Sequence, residues 1–208
     1  MKDATDITVV LDRSGSMSTM VYHLTSAFSE FLTQQKALPQ EATYTLIQFD
    51  DKYDVVCEGI NLQDAQELML MPRAMTALYD AIGKTIDRTG KRLESLPPDQ
   101  RPSKVLFLIL TDGLENASRE YTKEKIKEMI EHQRTVYSWE FIFLGANQDA
   151  IEVGTGLGIS KGSTMSFDPN AIHATYCSVG NAVSGYRKTG EVANFTDEDR
   201  NKAMDGNP

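Results

Sequence analysis

The sequence is poor in cysteine and histidine and has no long apolar run. Of its 208 residues, 2 are cysteines and 3 are histidines. Cys57 and Cys177 lie far apart and match no metal-ligand spacing, so we expect two reduced thiols rather than a zinc site or a disulfide framework. No stretch approaches the roughly 20 consecutive apolar residues that cross a bilayer, which argues against a membrane protein.

Positive charge is also scarce. Lysine and arginine number 21 against 30 aspartates and glutamates, so the formal net charge is −9. An acidic surface repels phosphate backbones and anionic lipid, and it therefore disfavours nucleic acid and membranes as partners while suiting metal cations or basic protein surfaces. The first residues show no basic segment followed by an apolar one, which is the pattern of a secretory leader, and we expect a cytoplasmic protein.

The sequence alternates between short apolar runs and amphipathic stretches. Buried strands are predicted at 7–11, 43–49, 53–57, 105–110, 141–144 and 164–167, and helical spacing follows at 24–36, 78–96, 126–130 and 172–183. This alternation predicts an α/β fold with a mostly parallel sheet covered by helices on both faces. The second and third strands are separated by 3 residues, which predicts an antiparallel hairpin. We expect one domain over 1–186, followed at 187–208 by a polar tail or a short helix.

Two of the predicted strands are followed by an aspartate. The first leads into the segment 12–16, Asp-Arg-Ser-Gly-Ser, and another leads to Asp112. Open parallel sheets place their ligand sites at the carboxyl ends of the strands. A tight turn that collects the oxygens of Asp12, Ser14 and Ser16 suits a hard divalent cation, chiefly Mg²⁺, with Mn²⁺ and Ca²⁺ as alternatives. Thr76 precedes a predicted helix, where its hydroxyl is either a cap or another ligand.

In combination these pieces resemble the metal-ion-dependent adhesion site (MIDAS) of the von Willebrand factor type A family. That site consists of Asp-x-Ser-x-Ser, a distant Thr and a later Asp-Gly, which here are Asp12, Ser14, Ser16, Thr76 and Asp112 with its following glycine. The resemblance covers 6–186 and implies a Rossmann-like three-layer α/β/α sandwich with one antiparallel edge hairpin. It also implies that the two serines and the threonine contact the metal directly, while the two aspartates act through bound water.

The resemblance further implies binding rather than turnover. A cation held mainly by neutral hydroxyls can accept an Asp or Glu from a partner protein, so we expect a metal-dependent protein-interaction module, an adaptor within a larger assembly, and not an enzyme. The chain resembles the short stand-alone members found in bacteria and their phages.

The alternative is a metal-dependent hydrolase or phosphatase-like enzyme that uses the same site. A phosphatase of the haloacid dehalogenase type would need a second aspartate where Ser14 stands, and a serine hydrolase would need flanking glycines that are absent. The histidines all fall within predicted helices, and they are His23, His132 and His173.

Several other residues stand near the predicted site loops. Asp50 and Asp51 are interpreted as hairpin-turn residues, and Glu115 and Asn116 as candidates for the rim of the site. Candidates for the rim or for helix capping also follow the strand at 141–144, namely Asn147 and Asp149. Three methionines fall near the second site loop, where core packing is the default and a soft contact surface is the alternative, namely Met69, Met71 and Met75.

Overall fold

A six-stranded sheet forms the centre of the computed structural model, which describes residues 2–146 and 149–205. Along the sheet the strand order is β3-β2-β1-β4-β5-β6. The strands are β1 (Lys2–Asp12), β2 (Glu41–Phe49), β3 (Tyr53–Asn61), β4 (Pro102–Thr111), β5 (Glu140–Ala146) and β6 (Thr164–Phe167). Every neighbouring pair is parallel except β2 and β3, which are antiparallel. The predicted parallel sheet with one antiparallel edge hairpin is confirmed.

Helices cover both faces of this sheet. The α-helices of the described residues are α1 (Val21–Lys36), α2 (Leu78–Ser95), α3 (Lys123–Tyr137), α4 (Ala150–Gly156), α5 (Ile172–Thr189) and α6 (Asp197–Met204). Successive side chains of a strand point to opposite faces, so Val9 and Leu11 enter one core while Val10 enters the other. The first core contains Phe28 of α1 and Val183 of α5, and the second contains side chains of α2, α3 and α4. The three-layer α/β/α sandwich is therefore confirmed.

The direction of chain progression reverses between β1 and β4. From β1 the chain moves to β2 and β3 on one side, then crosses to β4 on the other side. The two strands lie in parallel register, with Leu11 opposite Leu110, so the loops that follow them meet at one edge of the sheet. Such a reversal opens a crevice at the carboxyl ends of the strands, and this is where ligands bind in open α/β sheets.

The last part of the chain packs onto the sheet edge. Helix α5 crosses residue 186 and ends at Thr189, and α6 begins after a capping box formed by Thr196 and Asp199. Arg200 of α6 donates to the carbonyl oxygens of Thr164 and Lys161 at 2.7 and 2.8 Å, which ties the helix to β6. The division of the chain at residue 186 into two parts stays a prediction. Among the described residues, no helix is both long enough and apolar enough to cross a membrane.

Candidate metal centre

The loop after β1 is shaped by the carboxylate of Asp12. The backbone N–H of Ser14 donates to Asp12 Oδ1 at 2.6 Å, which closes a tight turn directly after the strand. A turn of 3₁₀ helix, Gly15–Thr19, follows and leads toward α1. This local geometry explains why the motif has the acidic residue first, since the carboxylate holds the turn that presents the hydroxyls.

Three hydroxyl oxygens from two separate loops meet beside Gly113. The Oγ atoms of Ser14 and Ser16 are 3.0 Å apart. A Cβ atom built on Gly113 would lie 3.0 Å from Thr76 Oγ1, 3.6 Å from Ser16 Oγ and 3.8 Å from Ser14 Oγ. The glycine therefore leaves a small space that a side chain would enter, and hydroxyl oxygens line that space.

Asp112 joins the same group from the end of β4. Ser16 Oγ donates to Asp112 Oδ1 at 2.6 Å, although the two residues are 96 positions apart in the sequence. All five predicted site residues are thus brought together at the carboxyl edge of β1 and β4. Their role as metal ligands stays a prediction.

Burial makes ionisation of the two site carboxylates unfavourable. Burial, with a small contribution from the charge of Asp112, raises the pKa of Asp12 to about 6, while hydrogen bonds donated by Thr111 and Ser14 oppose the rise. Burial also raises the pKa of Asp112, although the hydrogen bond from Ser16 acts in the opposite direction. A nearby positive charge would offset this cost, because it favours the ionised form of both groups.

Thr76 is held at the site by its backbone. Its N–H donates to Asn116 Oδ1 at 2.9 Å, and its carbonyl accepts from the N–H groups of Asn116 and Ala117 at 3.0 and 3.2 Å. The N-cap of α2 is Ala77, so the Thr76 hydroxyl faces the two serines instead of capping the helix. Ala74 has a φ of 59°, a left-handed conformation that is uncommon for alanine, and its carbonyl accepts from the N–H of Gly15 at 3.2 Å.

The sequence did not predict an ion cluster that Arg13 and Arg73 form with Asp50 and Asp54 next to the site loops. Arg13 Nε and Arg73 Nε lie 2.9 and 2.7 Å from Asp50 Oδ2, and Arg13 Nη2 lies 2.5 Å from Asp54 Oδ2. Asp50 is fully buried, and although burial alone would raise its pKa, the bonds from Arg73, from the N–H of Lys52 and from Arg13 hold that pKa below its usual value. Asp50 is therefore more than a turn residue, because it connects the β2–β3 turn to both site loops.

Two of the candidates for the rim of the site, Glu115 and Asp149, have hydrogen-bond partners within the chain. The Glu115 carboxylate accepts from the N–H groups of Tyr79, Ala117 and Ser118 at 2.7–2.9 Å, so it holds the start of α2. Asp149 caps α4 by accepting from the N–H of Glu152 at 3.0 Å, and Asn147 lies outside the described residues.

The donor set at the site consists of hydroxyls and carboxylates. Within 2–146 and 149–205, no cluster of three or more His, Cys, Asp and Glu side chains has the arrangement of a metal site. The three histidines lie on helices, with His23 on α1, His132 on α3 and His173 on α5. Neutral hydroxyl oxygens with two carboxylates suit a hard cation such as Mg²⁺ better than a soft one.

No family model and no curated protein matches the sequence, whereas several solved structures match the fold. Proximal thread matrix protein 1 (PTMP1) from the mussel byssus matches with a TM-score of 0.62 at 13% identity, over 86% of this chain and 46% of that chain. The vWF domain of the pilus tip protein Mfa5 from Porphyromonas gingivalis matches with a TM-score of 0.63 at 9% identity, over 92% of this chain and 98% of that one.

The chain has the von Willebrand factor type A fold. A von Willebrand factor type A protein from Catenulispora acidiphila also matches, with a TM-score of 0.54 at 14% identity, over 87% of this chain and 42% of that one. The chain thus spans about half of the PTMP1 chain it matches, but nearly all of the Mfa5 domain. One PTMP1 structure, which matches with a TM-score of 0.62 at 11% identity over 86% of this chain and 48% of that one, has a zinc-occupied MIDAS motif.

Within the von Willebrand factor type A fold, these likenesses establish the architecture alone. The identities of 9–14% are too low to transfer a partner or a ligand.

Proposed function

We propose that this chain is a metal-dependent protein-interaction module. The hydroxyls of Ser14, Ser16 and Thr76, together with the carboxylates of Asp12 and Asp112, would hold one divalent cation, chiefly Mg²⁺. The observation that carries the proposal is the convergence of three hydroxyl oxygens within 3.0–3.8 Å of the point where a Gly113 Cβ would lie. The ligand recognised there would be an Asp or Glu of a partner protein.

Each site residue has a defined task in this proposal. Asp12 holds the turn through the N–H of Ser14 and is itself held by the Thr111 hydroxyl at 2.5 Å, so its carboxylate is fixed. Ser16 joins the β1 loop to Asp112 and so keeps the two loops together. When bound, a cation coordinated mainly by neutral hydroxyls keeps enough positive charge to attract a further carboxylate. Gly113 leaves one side of the hydroxyl group open.

The structural neighbours support a module of this kind. PTMP1 has been solved with zinc in its MIDAS motif, and the Mfa5 domain belongs to a pilus tip protein. Proteins with this fold therefore include one that binds a divalent cation and one that belongs to a larger assembly. The choice of Mg²⁺, the identity of the partner and a cytoplasmic location stay predictions for this chain.

Calorimetric titration with Mg²⁺, Mn²⁺ and Zn²⁺ tests the metal site. We expect saturable binding to the wild type, and a rise in the free energy of unfolding of about 2.7 kcal/mol when free metal is one hundred times Kd. Ser14→Ala should lose both effects. Ser18→Ala is the matched control, since Ser18 is an exposed serine of the 3₁₀ turn that Ser14 precedes. Equal behaviour of the two variants would contradict the proposed site.

Turnover assays separate an interaction module from the metal-dependent hydrolase that is its main alternative. A panel of phosphoesters and carboxylic esters is incubated with the metal-loaded protein. We expect no metal-dependent turnover. Turnover that disappears in Ser14→Ala but persists in Ser18→Ala would establish an enzyme and overturn the assignment as a binding module.

A further inference from the structure

Large apolar side chains are exposed in the loops that carry the site. Between β3 and α2, Leu68 and Leu70 are 6% and 8% exposed, whereas Met69 and Met71 are 79% and 76% exposed. Met75, next to Thr76, is 52% exposed, and Leu114, next to Gly113, is 67% exposed. We call Met69, Met71, Met75 and Leu114 the apolar rim. Single exposed apolar residues are ordinary, but several in adjoining site loops indicate a contact surface.

The backbone of this segment is fixed to the rest of the site. Gln48 Nε2 donates to the carbonyl of Met69 at 2.6 Å, and the N–H of Arg73 donates to the carbonyl of Arg13 at 2.9 Å. Alternation of buried leucines with exposed methionines is what an extended segment produces when one face is anchored in the core. The methionines are therefore held outward at the edge of the site, and their exposure follows from the backbone conformation.

Several charged groups near the rim already have partners within the chain. Arg13 and Arg73 bind Asp50 and Asp54, so this cluster has no net charge. Glu115 is bonded to backbone N–H groups. A metal bound at the site would then be a positive centre beside the apolar rim. The surface that complements both has a carboxylate next to apolar side chains.

We propose that the apolar rim makes this site select acidic residues that are flanked by large apolar side chains in the partner. This inference rests on the proposed function, because the carboxylate it needs is bound through the metal. Methionine side chains are flexible and polarisable, so they can pack against apolar groups of different shape. The partner is thus a protein segment in which an acidic residue has large apolar neighbours, for example Leu-Asp-Leu or Phe-Glu-Ile. Those neighbours would cover the apolar rim.

Selection from a random-peptide phage library identifies the preferred segment directly. The immobilised wild-type protein is loaded with Mg²⁺, and bound phage are eluted with EDTA. We expect enrichment of Asp or Glu with Leu, Ile, Phe or Met within two positions. Acidic peptides without apolar neighbours would overturn the inference while leaving the proposed function intact. Absence of any EDTA-eluted acidic peptide would contradict the proposed function itself, and the inference with it.

Synthetic peptides then test the rim residues. The selected peptide is titrated against the wild type and against a Met69→Ser/Met71→Ser variant, for which we expect roughly tenfold weaker binding and unchanged Mg²⁺ affinity. Val136→Ser/Tyr137→Ser is the matched control, because these residues are 57% and 60% exposed at the end of α3. Equal peptide affinity in both double variants would overturn the role of the rim. Loss of Mg²⁺ affinity in the methionine variant would also overturn it, since the effect would then belong to the metal site.

Discussion

Arg13 and Asp50 form a buried ion pair in which the guanidinium Nε and a carboxylate oxygen are 2.9 Å apart. The pair joins the residue between Asp12 and Ser14 to the turn after β2. The same carboxylate oxygen accepts from Arg73 at 2.7 Å, and the backbone carbonyl of Asp50 accepts from the N–H of Ala77 at 2.8 Å. One aspartate therefore positions both loops that supply hydroxyls to the site.

Replacing this aspartate should destabilise the protein strongly. Asp50→Asn removes the charge that two arginines share, and breaking a buried ion pair in this way costs about 3 kcal/mol or more. Asp51→Asn changes the neighbouring exposed residue, and we expect less than about 0.5 kcal/mol. Urea unfolding of both variants measures the difference. A similar loss in the two would show that the cluster does not stabilise the loops.

A methyl group at Gly113 should harm the metal site more than the fold. In Gly113→Ala the Cβ would lie 3.0 Å from Thr76 Oγ1, so the threonine must shift away from the serines. We expect roughly tenfold weaker Mg²⁺ binding, which corresponds to about 1.4 kcal/mol.

Gly90→Ala is the control for that substitution. Nothing lies within 4 Å of a Cβ at Gly90, which is in α2, so the alanine should stabilise the helix by about 0.5–1 kcal/mol and leave Mg²⁺ binding unchanged. Calorimetry and urea unfolding measure the two quantities. Unchanged metal affinity in Gly113→Ala would place the cation away from the space beside Gly113.

Asp80 should make stability depend on pH. Burial alone would raise the pKa of its carboxyl. Hydrogen bonds from the backbone N–H groups of Arg119, Tyr121 and Glu120 outweigh burial and hold that pKa below its ordinary value of 3.8. Because the folded pKa is depressed, the stabilisation is present above 3.8 and is lost as pH falls through the folded pKa.

The comparison variant for this prediction is Asp80→Asn. At pH 7 its free energy of unfolding should be lower than that of the wild type, and the gap should narrow below pH 3.8, the ordinary value for the group. Urea titrations at a series of pH values measure the gap. A constant difference across the series would mean that the Asp80 charge does not hold the loop after β4.

Helix α6 should contribute to stability through Arg200. Arg200→Met removes two hydrogen bonds, one to the carbonyl of Thr164 at the start of β6 and one to the carbonyl of Lys161 just before it, and we expect a loss of about 1–3 kcal/mol. Lys202→Met, on the same helix, removes an exposed pair with Glu198 and should lower stability much less, because solvent screens such a pair. Thermal unfolding compares the two. If Lys202→Met were the more damaging, the docking of α6 would not depend on Arg200.

Local patterns were sufficient to predict most of the sheet and the members of the site. The apolar run at 105–110 could only be a buried strand, and residues 12–16 place the required donors next to one another. The start of β1 was missed, since the structure begins it at Lys2 and not at residue 7. Asp6 interrupts the apolar pattern there, yet it is fully buried and bonded to Arg92 and Thr43 at 2.9 and 2.6 Å.

Other features depend on contacts between distant segments and leave little trace in a local pattern. Asp50 pairs with Arg13 across 37 positions, so its neighbours in sequence indicate only a turn. The alternation of leucine and methionine at 68–71 is apolar throughout, so it cannot show which set faces solvent. The clue available in the sequence was the excess of acidic residues in the β2–β3 turn opposite an arginine inside the motif.

The hydrogen bond between Ser16 and Asp112 makes the site a property of the whole fold. Its two ends are 96 positions apart, and Thr76 comes from a third segment between them. No short fragment of the chain contains this donor set, and an unfolded chain has nothing comparable to offer a cation. Metal would therefore bind only folded molecules, so a higher concentration of free metal would raise the fraction of the protein that stays native under denaturing conditions.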